Sequence, residues 1–174
     1  MSNEGFFGLS IGEILRGYRS GTITPQDVAR ICLDQVRRHD PQCFAMEVFS
    51  AETLLAESAR AAKGLGSGKA IRLLEGIPVG VKDIFNTADF PTQMGSPLWT
   101  GFTPGNDARV VFYLKQAGAI IPGKTVTAEF AVHTLGKTLN PHDSEPPCSS
   151  VSETACSWPF CWRPAVSWPT CISS

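Results

Sequence analysis

No stretch of the 174-residue chain contains about 18 consecutive apolar residues, so a transmembrane helix is excluded. An excess of charge is missing as well. Fifteen basic side chains face sixteen acidic ones and leave a net charge of −1, too small a field to point to nucleic acid or an anionic membrane surface. The first twenty residues lack a basic segment followed by an apolar one, so no secretory signal is read there and the expected compartment is the cytoplasm. Glycine disappears partway along. All 16 glycines lie at or before Gly136, and the 38 residues that follow hold none, where average usage would place about three.

The segment from Ser144 onward differs from the body in what it gains. It carries four of the six cysteines (Cys148, Cys156, Cys161, Cys171), three of the four tryptophans (Trp158, Trp162, Trp168) and five prolines. Its only charged residues are Glu145, Glu153 and Arg163. The cysteines show no Cys-x-x-Cys spacing and no histidine follows His142, which argues against both a zinc site and a disulfide framework in a cytosolic chain. Residues 144–174 therefore read as an aberrant tail rather than a domain, and residues 1–143 as the body.

The chain as a whole, 43% hydrophobic and 18% charged, has the size and composition of one globular unit. At this length a chain buries about 70% of its unfolded surface and needs neither metal nor disulfide for a core. Ser10 with Glu13 forms a capping-box pattern that opens a helix over about 10–19, closed by Ser20-Gly21. Thr24, Pro25 and Asp27 mark a second helix start, with Val28, Ile31, Cys32, Gln35 and Val36 at helical spacing and Pro41 as the expected stop. Residues 43–49 read as a strand. Ser50 opens a third helix to about Lys63, with Leu54, Leu55, Ser58 and Ala62 on one side, before a flexible loop at 64–70. A strand follows at 76–83, GIPVGVKD, with a glycine inside it of the kind that marks close approach of a ligand or backbone. Residues 84–106 are loop-rich. Asp107 is the expected cap of a helix carrying Val110, Val111, Leu114 and Ala117, Gly118 ends it, and AIIPGKT (119–125) is a buried strand. A short helix is expected at about 128–132. Alternation of this kind implies an α/β fold with a mixed or parallel sheet.

Chemistry concentrates in GIPVGVKDIFNTADFPTQMGSP (76–97), DARVVFYLKQAGAIIPGKTVTAEFA (107–131) and TLNPHD (138–143). In these blocks, taken in order, the sequence resembles the amidase signature family, which includes broad amidases, fatty-acid amide hydrolases and the amidase component of tRNA-dependent amidotransferases. The resemblance runs from about Leu9 to Asp143. It implies an α/β fold, a mixed sheet with flanking helices, amidase-like but truncated. It also implies hydrolysis of carbon–nitrogen amide bonds by a Ser–Ser–Lys mechanism, without a cofactor, on a small-molecule amide. Lys82 matches the family's lysine and would be the general base. An amide is a poor electrophile and a serine hydroxyl a weak nucleophile, so a base must take the serine proton as the bond forms. A lysine does this only when neutral. Its ordinary pKa is about 10.4, so burial or nearby positive charge must lower it, and an apolar strand containing Val79 and Val81 is a setting for such desolvation.

The serine half of that mechanism does not follow. In the family both serines sit in a Gly-Gly-Ser-Ser-x-Gly segment soon after Asn-Pro, where glycine permits the tight turn that aims backbone N–H groups at the oxyanion. Here NPHD (140–143) leads into SEPPCSSVSETACSW, and Ser149 and Ser150 have no glycine near them. The expectation is a chain with the lysine arm and without the serine arm, inactive by itself, its tail the product of a shifted frame or retained intron. The rival reading is a non-catalytic interaction protein that uses helices 10–19 and 24–39 to bind a partner. Neither reading requires nucleic acid or a membrane span. His39, His133 and His142 are expected to be ordinary polar residues, and Cys32 and Cys43 core residues. Asp83 is read as a turn cap, or else as a carboxylate orienting Lys82. PGKT (122–125) lacks the first glycine of a phosphate loop.

Overall fold

A computed structural model describes residues 9–132 and 136–139. Ser149, Ser150, His133, His142 and the whole of 144–174 lie outside the described residues.

Helix α1 spans Ile11–Ser20 and begins as its sequence dictates. The Ser10 hydroxyl accepts the Glu13 N–H, and the Glu13 carboxylate accepts the Ser10 N–H at 2.7 Å. Two backbone donors at the helix start are thereby satisfied. Gly21 closes the helix at φ +72°, a left-handed conformation that glycine adopts without strain. The apolar face of α1 (Ile14, Leu15, Tyr18) packs with Ile23, Val28 and Ile77 into one core cluster. Helix α2, Pro25–Cys43, repeats the device with Thr24 and Asp27. It does not stop at Pro41. Proline lacks only its own N–H there, and the helix ends within the following turn at Phe44, which is left-handed at φ 51°. Asp40 secures that end, its carboxylate accepting the N–H groups of Ala45 and Met46 at 2.7 and 2.9 Å.

Strand β1 is Met46–Phe49, shorter than expected because Cys43 and Phe44 belong to the helix end. Helix α3, Ala51–Gly66, is capped by Ser50 and runs through Gly64 into the expected loop. Leu54 and Ser58 are buried on it, but Leu55 is exposed. Strand β2 is reduced to Val81–Lys82, with an isolated bridge from Pro78 to Ile120 further back. Helix α4 is Arg109–Gln116, and its cap is Ala108 without a side-chain bond. Asp107, the expected cap, instead accepts the Ala88 N–H and pairs with Lys115, so a long-range need took the carboxylate from the local one. On α4 Val111 is buried, while Val110 is exposed. Strand β3, Gly123–Thr125, is buried throughout, and a single 3-10 turn, Glu129–Ala131, stands where a short helix was expected.

The three strands form a mixed sheet in the order β1-β3-β2. β3 is central, antiparallel to β1 (Met46 opposite Thr125, Phe49 opposite Gly123) and parallel to β2 (Val81 beside Lys124, Lys82 beside Thr125). Helices flank it. Val81, Val111, Ala119 and Ile121 form one core cluster, and Ala29, Leu33, Leu54 and Ile120 another. β3 lies so close to β1 that a Cβ at Gly123 would fall on the Val48 carbonyl oxygen. Near the turn before β2, Arg72 grips Glu75 through two hydrogen bonds of 2.6 and 2.9 Å. This pairing holds the Glu75 carboxyl below its ordinary value.

Two outcomes follow. Gly123→Ala should lower the urea midpoint by the equivalent of about 1–3 kcal/mol, because backbone on the facing strand cannot yield as a side-chain tip can. An acid whose folded pKa is depressed stabilises above its ordinary value, here 4.5, and that contribution is lost as pH falls through the folded value. Melting temperature measured from neutral to acid pH should therefore fall less steeply in Glu75→Gln than in the parent.

Candidate active site

Lys82 is the second residue of β2, and Asp83 follows it directly. Successive side chains of a strand point to opposite faces, and this alternation decides the fate of both. Val81 and Asp83 turn inward and are 4% and 1% exposed. Lys82 turns to the other face, beside Thr125 of β3, and is only partly buried. No partner for its ammonium is found among the described residues. The carboxylate of Asp83 thus does not orient Lys82, nor does it cap the next turn.

Asp83 faces a second lysine. Lys124, the middle residue of β3, is completely buried. Its Nζ donates to Asp83 Oδ1 at 3.0 Å, to Thr92 Oγ1 at 2.9 Å and to the Pro91 carbonyl at 3.1 Å, which uses all three of its N–H donors. Asp83 Oδ2 accepts the Gln93 N–H at 3.0 Å, and the Asp83 backbone bonds Thr125 O and the Met94 N–H. Burial pushes the Asp83 carboxyl up and the Lys124 ammonium down, each opposed by the other's charge. Lys124 is thus a desolvated lysine of this sheet. Sequence reading gave this lysine no role of its own, placing PGKT in a buried strand and a family block and otherwise reading it only as an incomplete phosphate loop. Its one signal was a lysine inside an otherwise apolar run.

The pair fixes the segment that runs beside the sheet. Met94 and Gly95 both adopt positive φ, 56° and 66°, and a Cβ at Gly95 would meet the Thr127 carbonyl oxygen at 2.7 Å. Glycine in the Gly-Ser-Pro block is required by that approach. The Phe130 N–H donates to the Met94 carbonyl and ties the 3-10 turn to the same segment. Between them lies a cavity of about 440 Å³ lined by Glu47, Gln93, Ser96, Thr127, Glu129 and Lys137. Glu47 joins its walls, bonding Gln93 at 3.2 Å and Lys137 at 3.0 Å. A larger open groove of about 650 Å³ lies beside α3, away from Lys82. Its charged walls are tied up in pairs such as Arg60–Glu57, Arg72–Glu75 and Lys115–Asp89. Cys43 is buried and Cys32 half-buried, and burial pushes the Cys32 thiol up to about 12, so both behave as core residues. No cluster of three metal-ligating side chains occurs among the described residues.

With this geometry in place, comparison with known sequences decides the lineage. Residues 27–150 match the family model described as Amidase. The chain belongs to the amidase signature family. It is 36% identical over 141 residues to a glutamyl-tRNA(Gln) amidotransferase subunit of Rhodopirellula baltica, covering 78% of this chain and 28% of that one. It is 33% identical over 152 residues to the putative amidase AmiD of Mycobacterium tuberculosis, covering 85% and 32%. The native peptide amidase of Stenotrophomonas maltophilia superposes with a TM-score of 0.66 at 27% identity, over 71% of this chain and 26% of that one. An amidase family protein of Bacillus anthracis gives 0.72 at 24% identity, over 81% and 30%, a likeness of fold. The chain therefore spans about a third or less of the length of these relatives. Its small mixed sheet with flanking helices corresponds to part of their fold.

The buried pair makes a testable demand. Lys124→Met or Asp83→Asn alone leaves one charge buried without its partner and should cost about 3–5 kcal/mol in chemical denaturation. The double variant should cost clearly less than the sum of the two, because no unpaired charge remains.

Proposed function

We propose that this amidase chain carries the lysine arm of a Ser–Ser–Lys amide hydrolase, with Lys82 as general base, and that it does not turn over amides by itself. The observation that carries the reading is the position of Lys82. It stands at the end of β2 on the face opposite the saturated Lys124–Asp83 pair, partly exposed and without a partner among the described residues. A base must present a free lone pair to the hydroxyl it serves, and of the two lysines on neighbouring strands only Lys82 is not committed. Lys124 is a structural cation, with every donor used.

In the complete reaction, the amine of Lys82 would take a proton from a bridging serine. That serine would take one from the nucleophile as it attacks the amide carbon, and backbone N–H groups of a glycine-rich turn would hold the oxyanion. The proton then passes to the leaving nitrogen, and water repeats the sequence on the acyl-enzyme. Family membership supports a small-molecule amide as substrate. One relative is named as part of an amidotransferase, so companion proteins belong among the things to test. Neither serine is identifiable in this chain, because Ser149 and Ser150 lack the flanking glycines that the oxyanion turn needs.

The test is an ammonia-release assay of the purified chain on a panel of simple aliphatic and aryl amides, including glutamine. No release above that of the Lys82→Ala variant is expected. Release that Lys82→Ala abolishes would overturn the claim of inactivity while establishing the base. Release that survives Lys82→Ala would overturn the assignment of Lys82.

A further inference from the structure

We infer that the open groove beside α3 is a docking site for an extended, carboxylate-bearing segment of a partner protein, which adds to the sheet along Ala119–Ile121. Peptide planarity decides where the backbone of that stretch points. The Ile120 N–H donates to the Ile77 carbonyl at 2.9 Å, and the Ile120 carbonyl accepts the Val79 N–H at 2.8 Å. In a trans peptide the carbonyl and the N–H point in opposite directions. The Ala119 carbonyl and the Ile121 N–H share peptide units with those two groups, so both are turned to the other edge, away from residues 77–79. Neither forms a hydrogen bond with any described residue. Ala119 and Ile121 line the groove and are only 9% and 5% exposed. A free acceptor and a free donor at so low an exposure are uncommon, because backbone groups in native proteins are almost always paired.

The edge is open because β1 ends early. Its last ladder pair sets Phe49 opposite Gly123, and the Ser50 N–H donates to the Pro122 carbonyl at 2.8 Å. Ser50 is also the cap of α3, so the chain leaves the sheet there as a helix, and β1 does not continue opposite Ile121. In place of a strand there is the groove, about 650 Å³, a size within the range of roughly 300–1,000 Å³ common to clefts that hold ligands. A single residue of an extended peptide can meet both free groups. Its N–H would donate to the Ala119 carbonyl and its carbonyl would accept the Ile121 N–H, the pattern of a parallel ladder. Strand addition of this kind draws affinity from main-chain bonds and specificity from the side chains alongside.

Charge selects the segment. Most ions of the groove are paired within its walls, Arg60 with Glu57, Arg72 with Glu75 and Lys115 with Asp89. Lys69 is the exception. It lines the groove, is exposed, and makes no ion pair among the described residues. Its stem lies against Gly64 of α3, and its charge reaches Glu75, whose carboxyl is held low first by Arg72 and also by Lys69. One uncompensated cation beside two free backbone groups fits an incoming carboxylate and disfavours a second cation.

The experiment uses the full chain and a pool of capped heptapeptides, with glutamate at the centre and valine, threonine, serine or alanine elsewhere. Amide exchange is followed at Ile120 and Ile121 by NMR. With the pool at millimolar concentration, exchange at Ile121 should slow by about tenfold or more, while Ile120, already bonded, should change little. A pool N-methylated at the glutamate and its neighbours should have no such effect, since the main-chain donors are gone. Lys69→Glu should weaken the effect about threefold to tenfold at an unchanged melting temperature, and a pool with lysine at the centre should reverse that preference. Ala61→Trp, which fills the groove from α3, should abolish the effect; if that variant does not fold, Lys69→Glu tests the same site from an exposed position. Unchanged exchange at Ile121, equal slowing by the N-methylated pool, or slowing indifferent to Lys69→Glu would overturn the inference. So would an Ile121 amide already protected in the chain alone, which would mean that the edge is covered without a partner. These readings require no turnover and are independent of the role of Lys82.

Discussion

A lysine with no exposure to solvent needs a partner for each of its protons, and in this chain that requirement organises the ground around the candidate site. Lys124 sits in the central strand and draws three segments together. Asp83 brings the end of β2, while Pro91 and Thr92 bring the loop that leads into Gly95-Ser96-Pro97. Bonds from the Asp83 carboxylate and backbone to Gln93, Met94 and Thr125 complete the junction. Such pairs contribute little net stability compared with a well-packed apolar core, yet breaking one is expensive. Here the consequence is geometric. With Asp83 bound on one face, strand alternation sends Lys82 to the other, where it has no partner among the described residues.

The same small sheet has little around it. Among the described residues β1 and β2 are both edge strands, and several large apolar side chains (Leu98, Phe112, Tyr113, Val132) stand exposed. Sheet edges and apolar surfaces of this kind are normally covered. The matched part makes up 28% and 32% of two of the relatives, which are thus more than three times as long. The elements needed to hold the lysine are nonetheless locally complete. Two capping boxes, three buried clusters and the Lys124–Asp83 junction all lie within residues 9–132.

Local signals in the sequence translated well. Ser10–Glu13 and Thr24-Pro25-Asp27 define helix starts because the interactions span three residues and need nothing from elsewhere. The ordered Gly-x-Pro-x-x-Val-Lys-Asp, Gly-Lys-Thr and Glu-Phe-Ala blocks likewise identified the family. Legibility failed where distant residues compete. Asp107 has the chemistry of a helix cap, but Ala88 and Lys115 claim its carboxylate. Pro41 has the chemistry of a helix stop, but it costs only one bond so near the end. Strand lengths were overestimated because apolar β-branched runs such as GIPVGV continue beyond the part that keeps regular pairing. The Lys124–Asp83 pair could not be read at all, since its members are 41 residues apart and one resembled an incomplete phosphate loop.

The proposed inactivity of this chain rests on the segment after Asn140-Pro141, where no glycine follows and where the family's serine motif is expected. The most direct measurement is to sequence the encoding transcript from codon 135 onward and translate it in all three frames. A Gly-Gly-Ser-Ser-x-Gly run in another frame shortly after Asn140-Pro141 is the predicted result, and it would join the lysine arm to its missing serine arm. Absence of such a run from every frame would contradict the account, leaving a fold that keeps the family's lysine with no serine for it to serve.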